Sequence, residues 1–478
     1  MRSLESWVRL IATARAVRTC ESRRGRPNGA WRARLLITAL LLSAALVAGC
    51  TGSSGATAHG TATAVGTAAP AGVVSDCLLA PVSCYAPALF RVEYGIQPLL
   101  DKGIDGRGET VTVVAVAPPP GAPSPSAPSP RATAGPPAAV TAASDIRQDL
   151  AAFDGMFRLP AARIQVVTTL AGAGSPWQAA DEEVQDIEIV HTVAPAAALR
   201  VVLLPSNVPD SAANATADMI AGLRLAVSGT DVALVSFSLG EHYFTKAQVT
   251  QLHAILLAAE AHHITVIADS GDNGGFSDTD FGGTAVKEVS LPASDPLVLA
   301  VGGTTLTANT VTGTYTSETV WNGNAGVDAT GGASGGGFSH LYARPSYQDG
   351  IPAISARRGV PDVAGDASGL GGAAIVFASG GKTFVDGAAG TGAAAMLWGG
   401  LMALADQYAH HGLGLVNPAI YRIGRSSAYH KAFHDVTTGN NLLTGSVTGD
   451  VYHAGPGWDP VTGWGSPNAQ ALIPRLAR

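Results

Sequence analysis

Short β-branched runs recur along this chain with helix-forming stretches between them, and this alternation restricts the fold more than any other feature. Thr110 to Val116 reads Thr-Val-Thr-Val-Val-Ala-Val, apolar almost throughout, as a strand covered on both faces should be. Similar runs at Arg163–Thr168, Leu199–Leu204, Val232–Phe237, Ile264–Ala268 and Leu297–Val301 predict further strands. A helix is predicted from about Ser144, with Ile146, Leu150, Phe153 and Phe157 on one face; Ala212–Ala226 and Lys246–Ala261 predict two more. The pattern predicts a three-layer α/β/α domain over residues 77–478 with a mostly parallel central sheet. A Pro/Ser/Ala stretch at 118–137 interrupts it and is expected to be an exposed loop.

The first fifty residues have a different character. Residues 1–49 hold nine Arg against two Glu, and the apolar run Leu35–Val47 is too short for a comfortable bilayer span. They predict a signal peptide, removed ahead of Cys50. The small residues Val47-Ala48-Gly49 leading into Cys50 resemble a bacterial lipobox, so Cys50 is the expected lipidation site and the membrane the expected anchorage. An ordinary secretory signal with a fortuitous cysteine is the plainer alternative. Residues 50–76, rich in Ala, Gly, Thr and Ser, predict a flexible tether. Cys77 and Cys84 then read as a local disulfide in an exported protein, with no second ligand pair nearby for zinc. Removing residues 1–49 leaves 20 basic against 34 acidic residues, which argues against nucleic acid as a partner. The expected product is an extracytoplasmic, cell-surface monomer.

Four segments could carry chemistry. Glu182 and Asp186, four apart on a predicted helix, share a face, and two close carboxylates push one another toward holding a proton. Such a pair can act as a general base, although acidic helix runs are more often solvated faces. Ser270-Gly271-Asp272-Asn273-Gly274 follows a strand, where open parallel sheets gather their ligand groups; a plain turn is the alternative. Ser334-Gly335-Gly336-Gly337-Phe338-Ser339 lets backbone approach a ligand, or is merely a flexible loop. Asp435-Val436 with Gly455-Pro456-Gly457-Trp458-Asp459 offers carboxylates and turn carbonyls suited to a hard cation.

Taken in order, these segments resemble the sedolisin family of serine-carboxyl peptidases over roughly residues 85–475, together with Ser236-Phe237-Ser238-Leu239-Gly240, Leu291-Pro292-Ala293-Ser294, Ala300-Val301-Gly302-Gly303-Thr304, Val360-Pro361-Asp362-Val363-Ala364 and the C-terminal Gly457–Gly465 run. The resemblance implies a subtilisin-like fold, with Glu182 as general base, Asp186 as its supporting acid and Asp272 at the oxyanion. It implies a peptide cleft walled by Ser238, Gly240, Ser334, Gly335 and Gly336. It also implies one structural calcium ion, held by the carboxylates of Asp435 and Asp459 and the carbonyls of Val436, Gly455 and Gly457 within a region spanning 430–465.

The family places its nucleophile in Gly-Thr-Ser at the start of a long helix, with proline shortly after. This chain reads Gly390-Thr391-Gly392-Ala393-Ala394-Ala395-Met396, so Gly392 stands at the serine position and Met396 where proline belongs. One hydrogen cannot attack a carbonyl, and loss of a serine nucleophile costs on the order of 10⁶ in turnover. Two departures in one motif fit natural drift better than a single trapping substitution. The sixty residues from Cys50 to Thr110 also leave little room for the large prodomain the resemblance implies. The expectation is a catalytically impaired homologue that still binds peptides or unfolded protein segments. An acid endopeptidase with a non-standard nucleophile, or a purely structural surface module, are the alternatives.

Overall fold

The computed structural model describes residues 73–75, 84–116, 144–168, 178–179, 181–204, 211–277, 281, 285–323, 331–379, 382–443 and 451–478. All of them belong to one compact unit. The predicted signal segment, Cys50, most of the tether, Cys77 and the loop 118–137 lie outside the described residues. Cys84 is disulfide-bonded.

The central sheet is built from β1 (Thr110–Val116), β2 (Arg163–Thr168), β3 (Ala198–Leu204), β4 (Val232–Val235), β5 (Thr265–Asp269), β6 (Leu299–Ala308), β7 (Tyr315–Val320) and β8 (Val363–Asp366). Its order is β7-β6-β5-β4-β1-β3-β2, with β8 also pairing with β6. Every pairing is parallel except that of β7 with β6. The chain therefore leaves β1 toward one edge and later returns to the other, which opens a crevice at the carboxyl ends of the central strands.

Side chains of β1 alternate between two separate cores, as the two-residue strand period requires. Val111, Val113 and Ala115 join the core beneath α2 (Asp181–Val193) and α5 (Gly390–Ala409), whose Val190, Val193, Leu397 and Trp398 belong to it. Val114 faces the opposite core, with Met219 and Leu223 of α3 (Ala212–Ala226) and Leu252 and Leu256 of α4 (Lys246–Ala261). This is the expected α/β/α sandwich. α1 (Ile146–Phe157) starts at Asp145, whose carboxylate accepts from the Arg147 amide, and α4 starts at Thr245 with a reciprocal Gln248 capping box.

Several boundaries differ from the sequence expectation. β4 ends at Val235, so Ser236 and Phe237 leave the sheet and turn into the crevice region. β6 begins at Leu299, because Asp295 binds the Leu297 amide through its carboxylate and the Val298 amide through its carbonyl, holding both in a turn. Val73–Ser75, expected at the end of the tether, pairs in parallel with Thr383–Val385 on the edge of a hairpin formed by Gly372–Ser379 and Lys382–Gly387.

Candidate active site

The site lies where β1, β4 and β5 end and α2 and α5 begin. Glu182 sits in the first turn of α2 and still meets solvent, whereas Asp186, one turn on, is fully buried. With Ala115, Glu183, Ser236 and Phe237 they line a cavity of about 50 Å³, room for a water or two. Dense surroundings raise the Glu182 carboxyl to about 7, first by desolvation and then through the charge of Asp272. Asp186 is pushed well up, chiefly by burial and next by Glu182. The nearby Ser236 hydroxyl biases Asp186 back down but falls short of hydrogen-bond geometry, and among the described residues neither Asp186 oxygen has a hydrogen-bond partner. A buried carboxyl left in that state is best held protonated, or awaits a guest in the cavity.

Asp272 stands at the end of the turn after β5. Its Oδ1 accepts from the Thr391 amide at 2.9 Å and from the Thr391 hydroxyl at 2.6 Å, so it satisfies a donor at the open end of α5. Gly390 makes that contact possible. Its φ is +89°, and a Cβ there would lie 2.9 Å from Asp272 Oδ2. From the other side, the Gln185 side chain of α2 donates to the Ala389 carbonyl at 3.0 Å and accepts from the Ala389 amide at 2.8 Å. Both helices are thereby fixed around the Gly392 position. A Cβ built on Gly392 would meet the Ser236 carbonyl at 3.3 Å and the Ser236 Cβ at 3.6 Å. Ser236 also lines the Glu182–Asp186 cavity, so it stands between the Gly392 position and the acid pair's surroundings. The Thr391 hydroxyl is committed to Asp272.

Sequence reasoning missed Asp269. It ends β5, is buried, and accepts from the Ser238 hydroxyl at 2.9 Å and the Gly271 amide at 3.0 Å. Burial, then Asp272, raise it to about 7. An aspartate on the last residue of a buried strand, three before another aspartate, was the available signal. Ser238 is thus oriented by Asp269, and Gly240 pairs with Ser290.

Ser334, Gly335 and Gly336, expected to wall a peptide cleft, pack closely against the Asp272 turn. All three are buried. The Ser334 hydroxyl donates to Val461 O at 2.8 Å and accepts from the Gly303 amide at 2.9 Å, so its proton is committed within the fold. The Gly335 amide donates to Gly271 O at 2.7 Å and its carbonyl accepts from the Ser270 hydroxyl at 2.7 Å, while Gly336 N–H donates to Gly274 O. These residues brace the Asp272 turn from behind. Their close approach to it, which glycine allows, is the reason for the glycines.

The C-terminal acidic loop does converge. Asp435 and Asp459 are linked through one short segment, since the amides of Gly457 and Gly455, two residues apart, donate to them. The Gly457 amide donates to Asp435 at 3.2 Å, and the Gly455 amide to Asp459 at 3.2 Å. A Cβ at Gly455 or Gly457 would meet nothing within 4 Å, so the loop is open beside its acids. Burial raises Asp459 to about 6. Oxygen donors of this kind, with a buried carboxylate seeking a positive charge, fit a calcium ion.

A helix start with glycine at positive φ, an acid pair one turn apart and an acidic turn at a strand end thus meet at this crevice. No family model matches the chain. Kumamolisin of Bacillus sp. (strain MN-32) is 36% identical over 314 residues, covering 62% of this chain and 52% of that protein. Sedolisin of Pseudomonas sp. (strain 101) is 34% identical over 264 residues, 54% of this chain and 43% of that one. The chain therefore spans about half the length of the curated relatives it matches. The solved structure of Pseudomonas sedolisin, a serine-carboxyl proteinase complexed with two molecules of pseudo-iodotyrostatin, covers 83% of this chain and 98% of its own at 26% identity, with a TM-score of 0.64. The chain is a homologue of the sedolisin-family peptidases and carries their subtilisin-type α/β fold.

Proposed function

We propose that this protein is an exported sedolisin-like protein that holds peptide segments in its cleft without the family's normal hydrolysis. In this reading residues 1–49 export it, Cys50 anchors it by lipid to the cell surface, and the Asp435–Asp459 loop carries one structural calcium ion. The observation that carries the proposal is the start of α5. There Gly392 presents no oxygen, while Ser236, which a Cβ at 392 would meet, lines the cavity with Glu182 and Asp186, and Asp272 binds the adjacent Thr391.

The roles follow from the geometry. Glu182, with a carboxyl near neutrality, could accept a proton from a nucleophile if one were present. Asp272, raised by burial, could remain a proton donor to a developing oxyanion. Deprived of a nucleophile, the same groups still bind a carbonyl and an extended backbone. Assay of the protein lacking residues 1–50 against a denatured protein at pH 3–7 with calcium tests this. The wild type is expected to bind labelled unfolded peptide without cleaving it. Gly392→Ser is expected to gain cleavage that Glu182→Ala then removes. Calcium-dependent cleavage by the wild type, lost in Glu182→Ala, would overturn the proposal.

One observation favours a second reading, an acid endopeptidase with a displaced nucleophile. Ser236 faces the acid pair, and its Cβ is 3.6 Å from the position a Gly392 Cβ would take. That reading requires wild-type cleavage to vanish in Ser236→Ala.

A further inference from the structure

We propose that Glu241, Glu288 and His340 form a binding site for a first-row transition ion, zinc foremost, that ties together the segments flanking the cleft. One ligand atom from each of the three lies within 4.8 Å of the others. A single ion with bonds of about 2.0–2.2 Å holds tetrahedral ligands roughly 3.3–3.6 Å apart, so the three side chains need only draw in slightly to share one. Glu241 and Glu288 are 2% and 5% exposed, while His340 is open to solvent, so an ion has a way in.

The donors have capacity left for a metal. Glu241 Oε2 accepts from the His340 amide at 2.7 Å, and its Oε1 accepts from the Ser339 hydroxyl. Each carboxylate oxygen has two lone pairs, so one remains on each. Glu288 Oε1 is bonded to His242 Nδ1, and the His242 amide also points at it at 3.4 Å. This imidazole orients the Glu288 carboxylate, as outer partners of metal ligands commonly do. Two nearly buried carboxylates side by side are costly unless a cation or a proton offsets them; Glu288 is in fact among the groups that raise Glu241. The mixture of imidazole and carboxylate selects zinc or a neighbouring ion rather than calcium, in contrast to the oxygen-only Asp435–Asp459 loop. Three protein ligands would leave one position for water.

The location gives the site a purpose. Glu241 begins the turn directly after Leu239–Gly240, and Glu288 precedes Ser290–Leu291, the short strand paired with Leu239–Gly240. His340 lies on Gly337–Ala343, the strand that continues from the Ser334–Gly336 brace. An ion there would therefore fix the Ser238–Gly240 segment against the segment that supports the Asp272 turn. The site does not depend on whether Gly392 abolishes hydrolysis.

The experiment is zinc binding by the metal-stripped protein lacking residues 1–50, followed by titration calorimetry and, with cobalt(II) as the coloured stand-in, by visible absorption. Wild type is expected to bind one more equivalent of zinc than His340→Ala, and calcium in large excess should not displace it. Affinity should fall at least tenfold in both His340→Ala and Glu288→Gln, with loss of the cobalt bands. His340 is exposed, so its variant should keep the metal-free melting temperature and serve as the folded control. Replacing His410 and His411, an exposed pair remote in sequence, should leave the stoichiometry intact. Equal zinc binding by wild type, His340→Ala and Glu288→Gln, or loss of the equivalent only on replacing His410 and His411, would overturn the proposal.

Discussion

At the scale of single residues, the acid site depends on one backbone conformation. Gly390 carries φ +89°, and its missing Cβ is what lets Asp272 reach the Thr391 amide and hydroxyl. Gly390→Ala would place a methyl 2.9 Å from Asp272 Oδ2 in a backbone region that L-residues avoid. A cost of about 1–3 kcal/mol in chemical denaturation is expected, most of it from backbone strain and displacement of Asp272. If the alanine variant is as stable as wild type and still binds peptide equally, this account of the α5 start is wrong. The pair Glu182 and Asp186 was legible in the sequence because helical geometry dictates that residues four apart share a face. Ser236 and Asp269 were not, since each joins the site only through the ends of two neighbouring strands. Met396 is fully buried in α5, so the missing proline is replaced by a well-packed apolar side chain rather than a gap.

Among the elements, α5 decides how closely the sheet and the helical layer approach. Gly399 faces β4, and a Cβ there would lie 2.4 Å from one Leu234 methyl and 3.0 Å from its Cγ. Leu234 is fully buried and has nowhere to withdraw. Alanine favours a helix over glycine by about 1 kcal/mol, whereas an extra buried carbon in a packed core costs about 1–3 kcal/mol. Gly399→Ala is therefore expected to destabilise by about 1–2 kcal/mol in urea unfolding, and a stabilised variant would show that the layers can separate freely. The strands were readable because burial on both faces demands continuous apolar runs. Their ends were less so: Asp295 decides where β6 begins, and that depends on a side-chain contact two residues away rather than on periodicity. The buried Arg358–Asp362 pair, with both side chains sealed from solvent, and the Glu241–Glu288–His340 cluster were also invisible. The first depends on a turn that brings residues four apart together in the core, the second on distant segments that meet only in the fold. The glycine loop at Ser334–Gly336 was read as a substrate wall, because glycine signals close approach without saying to what; here it is the Asp272 turn.

Across the whole molecule, the fold buries acids that its few cations cannot neutralise. Glu93 has neither carboxylate oxygen hydrogen-bonded and is raised to about 9 by burial and by Glu318; Asp406 is raised by burial to about 8, and Asp269 to about 7. In the unfolded chain such carboxyls release their protons near pH 4. Between about pH 4 and 9 the folded state thus binds more protons than the unfolded one, so stability falls as pH rises through that window. The contribution is complete below about pH 4 and is lost as each folded group ionises. Each unit of such a shift is worth about 1.4 kcal/mol, so these buried acids favour an acid optimum of stability. Calcium at the proposed Asp435–Asp459 loop would act in the opposite sense, because carboxylates bind it in their ionised form. In chelator the melting temperature is expected to be highest near pH 4 and to drop by several degrees toward pH 8. Added calcium should restore a few degrees at pH 8 and little at pH 4, by binding only the folded state. Glu93→Gln should flatten the chelator profile at its alkaline end without altering the calcium response. A metal-free protein most stable at pH 8 would refute the buried-acid account, and an identical melting curve with and without calcium at pH 8 would refute the calcium loop.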